Sequence, residues 1–340
     1  MDVAPGETRG VVVVDGRPER LLVRRRGDPA VQALGATAVG RVAAVDGASA
    51  LAFVDLGEGP QGVINLTRET GRLVEGAAVE VQVRAEARSG KGAGLRWLGP
   101  AEGRPRLLQP PPSLDRQLQA FAPGAPIRTG AAAREAADQA EDETQAVRFD
   151  LAGGGRIWVE PTRALTAVDV DLGDAGAGAP KRAARAANLA ALAEGARVLR
   201  LKGLGGLVVF DLVGRGHDGP ALLAAARHAF SPDNPGVAIG PVSRFGTLEL
   251  TVPRRARPVV DVLADETGRL SPRTLGLRLL RALEREALAD RGARLEGVAA
   301  PAVAAAARED LGDLHARLGA RVSLRAEPGR ALEAFQVVRL

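Results

Sequence analysis

The sequence predicts an α+β chain of several domains: a small β-barrel, an α/β unit after it, and a second, smaller α/β unit at the end. Three observations predict it. Residues 36–98 hold five short β-type runs separated by glycine turns (AVGRVAAVD, ALAFVDLG, QGVIN, AVEVQVRAEA, GLRWL), the spacing of a small closed barrel of the OB type. Residues 153–213 pass from an apolar run, Leu165–Leu172, through a basic, Ala-rich helical stretch to a second apolar run, Leu207–Val213. That is the pattern of strand, crossover and strand. Residues 268–340 open on an amphipathic helix with Leu275, Leu279, Leu280 and Leu283 on one stripe, and short strand and helix segments follow.

At 340 residues the chain is long enough for two or three cores. A hydrophobic fraction of 46% with 26% charged residues is that of an ordinary water-soluble protein. The net charge of +5 fits a polyanionic partner without requiring one. Only Lys91, Lys181 and Lys202 among the basic residues are lysines, a coding bias of GC-rich genomes, so the arginine content does not by itself argue for nucleic-acid binding. The absence of cysteine excludes disulfides, thiolate metal sites and cysteine nucleophiles. His217, His228 and His315 lack the spacing of a zinc site and read as surface or satisfied residues. No signal-peptide pattern opens the chain, and the Ala-rich run Val298–Ala307 is too short for a membrane span, so a cytoplasmic protein is expected.

In chain order, residues 1–35 offer GVVVVDG followed by LLVRRR, a hairpin turning at Asp15–Gly16. The barrel runs follow, and an OB-type barrel commonly binds single-stranded nucleic acid. GKGAG within them lacks the spacing and the Ser/Thr of a P-loop. Residues 99–150, rich in Pro, Gly and Ala, read as a linker, a short strand and a polar helix. Residues 151–262 form the α/β unit, with an Ala-rich helix (ALLAAARHAF) and the strands VAIGPVS and GTLELTV.

Asp169 and Asp171 stand two apart on the first apolar run of that unit and point to one face, while Val168 and Val170 point to the other. Asp211 closes the second run. Adjacent strands would bring three carboxylates together, and burying such a cluster without a cation is costly, so a hard divalent metal follows. Aspartates at strand ends are also commonly solvated or cap the next helix, and Asp211 suits either reading.

Three segments, ALTAVDVD, NLAALAEGARVLRLKGLGGLVVFD and SRFGTLEL, resemble in order and spacing the catalytic domain of the ribonuclease E/G family. The resemblance is strongest in 153–249 and patchy in 99–150. It implies an S1 domain for residues 36–98, a DNase I-like catalytic domain for 151–262 and a small C-terminal domain for 268–340. Residues 1–35 resemble the family's opening hairpin. It further implies a Mg²⁺-dependent endoribonuclease (Mn²⁺ substituting) that cuts single-stranded RNA to 5′-phosphate and 3′-hydroxyl ends, with Asp169 and Asp211 as metal ligands. Asp171 stands where the family has Asn, and Gly214 where it often has a further Asp; Asn188 matches a position on the connecting helix. Phe53 matches a stacking aromatic, with core packing as the alternative, and Lys91 a basic contact; Leu56 and Val63 replace aromatics. Arg128 and Thr129 match the pair that holds an RNA 5′-monophosphate, with an ordinary strand as the alternative. Arg244 lies inside a family motif, and Arg254, Arg255 and Arg257 would line a phosphate path or be solvated. Arg200 and Lys202 would touch RNA or end a helix in solvent. About a hundred residues of sensor and RNase H-like region present in longer members are missing, and so is the cysteine-bearing zinc link. Zinc tetramerisation is thereby excluded and a homodimer remains open. The rival readings are an RNA-binding protein of this fold without turnover, and a phosphodiesterase acting on DNA or a nucleotide.

Overall fold

The computed structural model describes residues 1–88, 90–173 and 181–340. It begins with a three-stranded antiparallel sheet, β1 (Asp2–Ala4), β2 (Glu7–Val14) and β3 (Arg17–Arg25). The β2–β3 turn has φ +50° at Asp15 and +77° at Gly16. Positive φ at both central residues is the two-residue hairpin geometry that Asp-Gly favours.

Strands β4 (Thr37–Asp46), β5 (Leu51–Asp55), β6 (Gly62–Asn65), β7 (Ala78–Ala85) and β8 (Gly94–Pro100) follow. They hydrogen-bond in the order β5-β6-β8-β7-β4, and β4 also pairs with β5, so the ring closes. Alternate side chains, including Ala52, Val54, Ile64, Val79, Val81 and Val83, fill its interior. A further strand, β9 (Arg106–Gln109), pairs with β4. Residues 99–150 depart from expectation here. SLDRQLQAF forms the helix α1 (Leu114–Phe121), which buries Leu114 and Leu118, while Ile127–Thr129 are not in a strand. Two buried leucines one turn apart hold this short helix by packing, which local propensity does not reveal. The polar helix α2 (Ala131–Gln145) comes next.

The largest core belongs to a sheet of order β10-β11-β12-β13-β15-β14. Its strands are β10 (Arg148–Asp150), β11 (Arg156–Pro161), β12 (Thr166–Asp171), β13 (Gly206–Asp211), β14 (Ala238–Val242) and β15 (Thr247–Val252). Of its pairings, β12–β13 is parallel and the rest are antiparallel. The connection from β12 to β13 runs through α3 (Lys181–Lys202), and α4 (Gly219–Ala229) follows β13. Both helices pack on one face, where Ala187, Ala191, Leu192, Leu222 and Ala226 meet Val168, Val208 and Phe210. The chain continues through α5 (Val259–Leu263) and α6 (Pro272–Ala289), the latter capped by the Ser271 hydroxyl, which accepts from Thr274 N at 3.2 Å. The strands β16 (Leu295–Ala299), β17 (Val322–Ala326) and β18 (Gln336–Arg339) make a sheet of order β17-β16-β18, accompanied by α7 (Pro301–Arg308) and α8 (Leu311–Leu318). Leu275, Leu279, Leu280 and Leu283 lie in its core.

Charge joins these units. Arg9 on β2 is fully buried and pairs with Asp2 at 2.6 Å and with Glu141 and Asp138 of α2 at 2.8 Å each. Arg281 of α6 pairs with the same Glu141 at 3.0 Å and with Glu7 of β2. The hairpin is also tied to α3, through Arg17–Glu194 at 2.7 Å and Glu19–Arg200 at 2.5 Å. Among the described residues no helix is long and apolar enough to cross a membrane.

Candidate metal centre and RNA-facing surface

The alternation TAVDVD fixes the site. Val168 and Val170 are drawn under α3, so Asp169 must face the opposite side of the sheet, which no helix among the described residues covers. The same logic applied to GLVVFD buries Phe210 and turns Asp211 outward. Parallel pairing then sets Asp169 beside Asp211 in register. Their row continues across the open face in both directions: Arg148 and Trp158 lie on one side of the pair and Thr247 on the other. One line over five strands thus carries a cation, an aromatic, two carboxylates and a hydroxyl.

Asp211 is held from behind. Asn188 of α3 is buried; its Nδ2 donates to the Val213 carbonyl at 3.0 Å and its Oδ1 accepts from Val213 N at 3.0 Å. Leu212 N donates to the Gly246 carbonyl at 3.0 Å. The backbone after Asp211 is therefore pinned to α3 on one side and to the β14–β15 turn on the other. In mid-helix, Gly195 lets α3 lie close to the sheet, since a Cβ there would stand 2.7 Å from the Phe210 ring.

The expected convergence of three carboxylates is only partly realised. Asp171 lies beyond the end of the β12–β13 ladder. Its Oδ1 accepts from Gly173 N at 2.9 Å, and its Oδ2 is 3.8 Å from Nε of Arg156, its partner on β11. Among the described residues no group of three or more His, Asp or Glu could jointly hold a metal. The adjacent pair fits Mg²⁺, which takes one or two carboxylates and keeps several waters. Partial burial, followed by the charges of Asp211, Asp171 and Glu160, raises the Asp169 carboxyl above its usual range. Such uncompensated negative charge is what a hard cation neutralises.

The remaining sequence candidates are dispersed. Arg244 is exposed at the β14–β15 turn, close to the carboxylate pair in the strand order. Phe53 is half-buried on the outer face of the ring, between the inward Ala52 and Val54, so it does not fill the core; it pairs with Val63, which pairs with Gly94 three residues after the exposed Lys91. Leu56 is buried. Arg128 and Thr129 are exposed, and the N-terminal ammonium donates to the Arg128 carbonyl at 2.7 Å.

Several basic residues make structural contacts, some buried and some, such as Arg254 and Arg255, exposed. Lys202 is buried, donates to the Ala146 carbonyl at 2.5 Å and lies 5.5 Å from the Phe149 ring centre; burial pulls its ammonium down to about 8. Arg200 pairs with Glu19 and with Asp233. Arg254 and Arg255 donate to the carbonyls of Gly205 and Pro235, and Arg257 N donates to Glu86. Of the histidines, His315 hydrogen-bonds the Val322 carbonyl at 2.8 Å and His228 is exposed. His217, by contrast, is half-buried, and its Nε2 is buried without a hydrogen-bond partner among the described residues. Sequence reasoning missed Arg156 and Trp158. Their signal is the alternation RIWVE, in which Ile157 and Val159 go inward and the other two outward.

Fold and site together define an α+β protein with a carboxylate pair across two parallel strands on the uncovered face of a mixed sheet. Residues 123–255, which contain the site, match the ribonuclease E/G family. Ribonuclease E of Escherichia coli (strain K12) is 34% identical over 152 residues, covering 41% of this chain and 14% of that protein. Its counterpart in Haemophilus influenzae is also 34% identical over 152 residues, with 41% and 16% covered. Ribonuclease G of Salmonella typhimurium is 28% identical over 207 residues, 57% of this chain and 42% of that protein. The chain thus spans less than half the length of these relatives.

Proposed function

We propose that this protein is a metal-dependent endoribonuclease that cuts single-stranded RNA, with Mg²⁺ held by Asp169 and Asp211. The observation that carries the reading is the in-register carboxylate pair inside the segment that matches the ribonuclease E/G family. Bound Mg²⁺ would supply charge neutralisation at the scissile phosphate and a water that ionises near neutral pH, giving 5′-phosphate and 3′-hydroxyl ends.

The chain's own residues do the rest. Asn188 fixes the backbone beyond Asp211 and so orients that carboxylate. Arg156 and the Gly173 amide engage Asp171, which keeps its charge off the phosphate path. Arg148 and Arg244, one on each side of the pair, offer guanidinium groups to the RNA backbone. The closed ring of five strands is the S1-type element, with Phe53 and Lys91 on its RNA side, and the mixed sheet with α3 and α4 is the DNase I-like element. Arg128 and Thr129, both exposed, would hold an RNA 5′-monophosphate. A cytoplasmic location fits this substrate.

The test compares single-stranded RNA, duplex RNA and single-stranded DNA of one sequence, with Mg²⁺ or EDTA, and maps the ends formed. Mg²⁺-dependent internal cuts in the single-stranded RNA, leaving 5′-phosphates, are expected. Equal cutting of DNA would point to a general phosphodiesterase, and tight RNA binding without cuts to a pure binding protein.

A further inference from the structure

Phe245 is 78% exposed, more than any other large apolar side chain among the described residues. A lone exposed hydrophobic residue is ordinary, but this one is displayed by a braced turn. The Ser243 hydroxyl accepts from Phe245 N at 3.2 Å and from Thr247 N at 3.3 Å, and lies 2.8 Å from the Thr247 hydroxyl. Ser243 N donates to the Thr247 carbonyl at 2.8 Å, and Gly246 N to the Ser243 carbonyl at 3.1 Å. The Arg244 guanidinium lies 4.8 Å from the Phe245 ring centre, which steadies the ring and fills one of its faces. Beneath the turn, the Gly246 carbonyl holds Leu212 N, and a Cβ at Gly246 would stand 3.2 Å from His217 Nε2.

The turn's place in the sheet supplies the second part of the argument. Thr247 is the ladder partner of Asp211, so Phe245 stands one strand over and two residues along from the carboxylate pair. A rigid, solvent-facing aromatic backed by a guanidinium, at that spot, is what a flat nucleobase needs. Base–aromatic stacking is tolerant of sequence because every base has a π-face.

Resting on the endoribonuclease reading above, we propose that Phe245, backed by Arg244, is the stacking platform for the base next to the scissile phosphate. It would hold single-stranded RNA in register over Asp169 and Asp211, and duplex RNA, whose bases are already stacked, would not engage it.

The test uses the full chain and a single-stranded RNA with 2-aminopurine at successive positions, in Ca²⁺ in place of Mg²⁺ to slow turnover. Wild type, Phe245→Ala and Phe245→Trp are compared. Fluorescence quenching at one or two adjacent positions in wild type is expected, lost in Phe245→Ala and kept in Phe245→Trp, with RNA affinity about tenfold weaker in the alanine variant. Since the side chain is mostly in solvent, thermal melts of the three proteins should coincide. Equal quenching and affinity in wild type and Phe245→Ala would overturn the platform alone, as would unchanged Mg²⁺-dependent cleavage by Phe245→Ala. Phe245-dependent quenching in a protein that never cleaves RNA would support the platform and overturn the hydrolytic reading. No RNA binding by wild type would overturn both.

Discussion

Asp169 and Asp211 are set side by side by the buried neighbours Val168 and Phe210, which pair in the preceding register position and hold both carboxylates on the uncovered face. Asp171, two residues on, is a different kind of residue: it is spoken for by Arg156 and the Gly173 amide. Removing its charge therefore changes the site less than removing that of Asp211. Asp171→Asn should keep cleavage within about tenfold of wild type, while Arg156→Ala, which frees the carboxylate, should lower it by about 10–100-fold. Rates of RNA cleavage on the same substrate check the order. Asp169, Asp171 and Asp211 were legible in the sequence because strand alternation has a period of two. Arg156 was not, since its contact depends on an antiparallel register set by tertiary pairing.

At the scale of elements, the site depends on how closely α3 lies on the sheet. Gly195→Ala would place a methyl 2.7 Å from the Phe210 ring, one residue before Asp211, and either the helix or the ring must shift. Overpacking of this kind costs about 1–3 kcal/mol, so a lower thermal midpoint is expected together with weakened cleavage. Asn188→Ala leaves the partly buried amide and carbonyl of Val213 without their side-chain partners, at about 1–3 kcal/mol in all. Its cleavage rate should fall in the folded protein, at a temperature well below its own melting point. The strand, crossover and strand were legible from apolar runs and an Ala-rich helix between them. By contrast α1 was hidden, because Leu114 and Leu118 among prolines and polar residues gain their stability from burial and not from local pattern. The burial of Lys202 was equally hidden: a lysine at a helix end reads as solvated until Phe149 and the Ala146 carbonyl are placed against it.

At the scale of the whole molecule, the ion cluster around Arg9, Glu141 and Arg281 joins the N-terminal sheet, α2 and α6. Burial alone would raise the Glu141 carboxyl, but the guanidiniums of Arg281, Arg278 and Arg9 overcome it and hold the group at about 2, below its ordinary 4.5. A carboxyl depressed by folding stabilises the native state above its unfolded value, and that stability is lost as pH falls through the folded one. Thermal midpoints should therefore drop between about pH 4.5 and pH 2. Glu141→Gln removes the carboxylate that Arg9, Arg278 and Arg281 share, while Arg9 keeps Asp2 and Asp138 and Arg281 keeps Glu7, so it should lower the thermal midpoint near neutral pH and flatten that acid limb. A melt series in the two proteins checks both. None of this cluster was legible in the sequence. Residues 9, 141 and 281 are far apart in the chain, and each looks like an ordinary charge on an amphipathic element until burial and pairing are seen.

The central claim is that the carboxylate pair on β12 and β13 holds the metal of an RNA-cutting site, and one experiment bears on it most directly. A 5′-monophosphorylated, A/U-rich single-stranded RNA is incubated with Mg²⁺ and either wild type or Asp211→Asn, with RNA binding measured in parallel. Internal cleavage by wild type, lost by at least a hundredfold in Asp211→Asn while binding persists, is the expected result. Equal cleavage by both proteins, or binding without cleavage by either, would contradict the account.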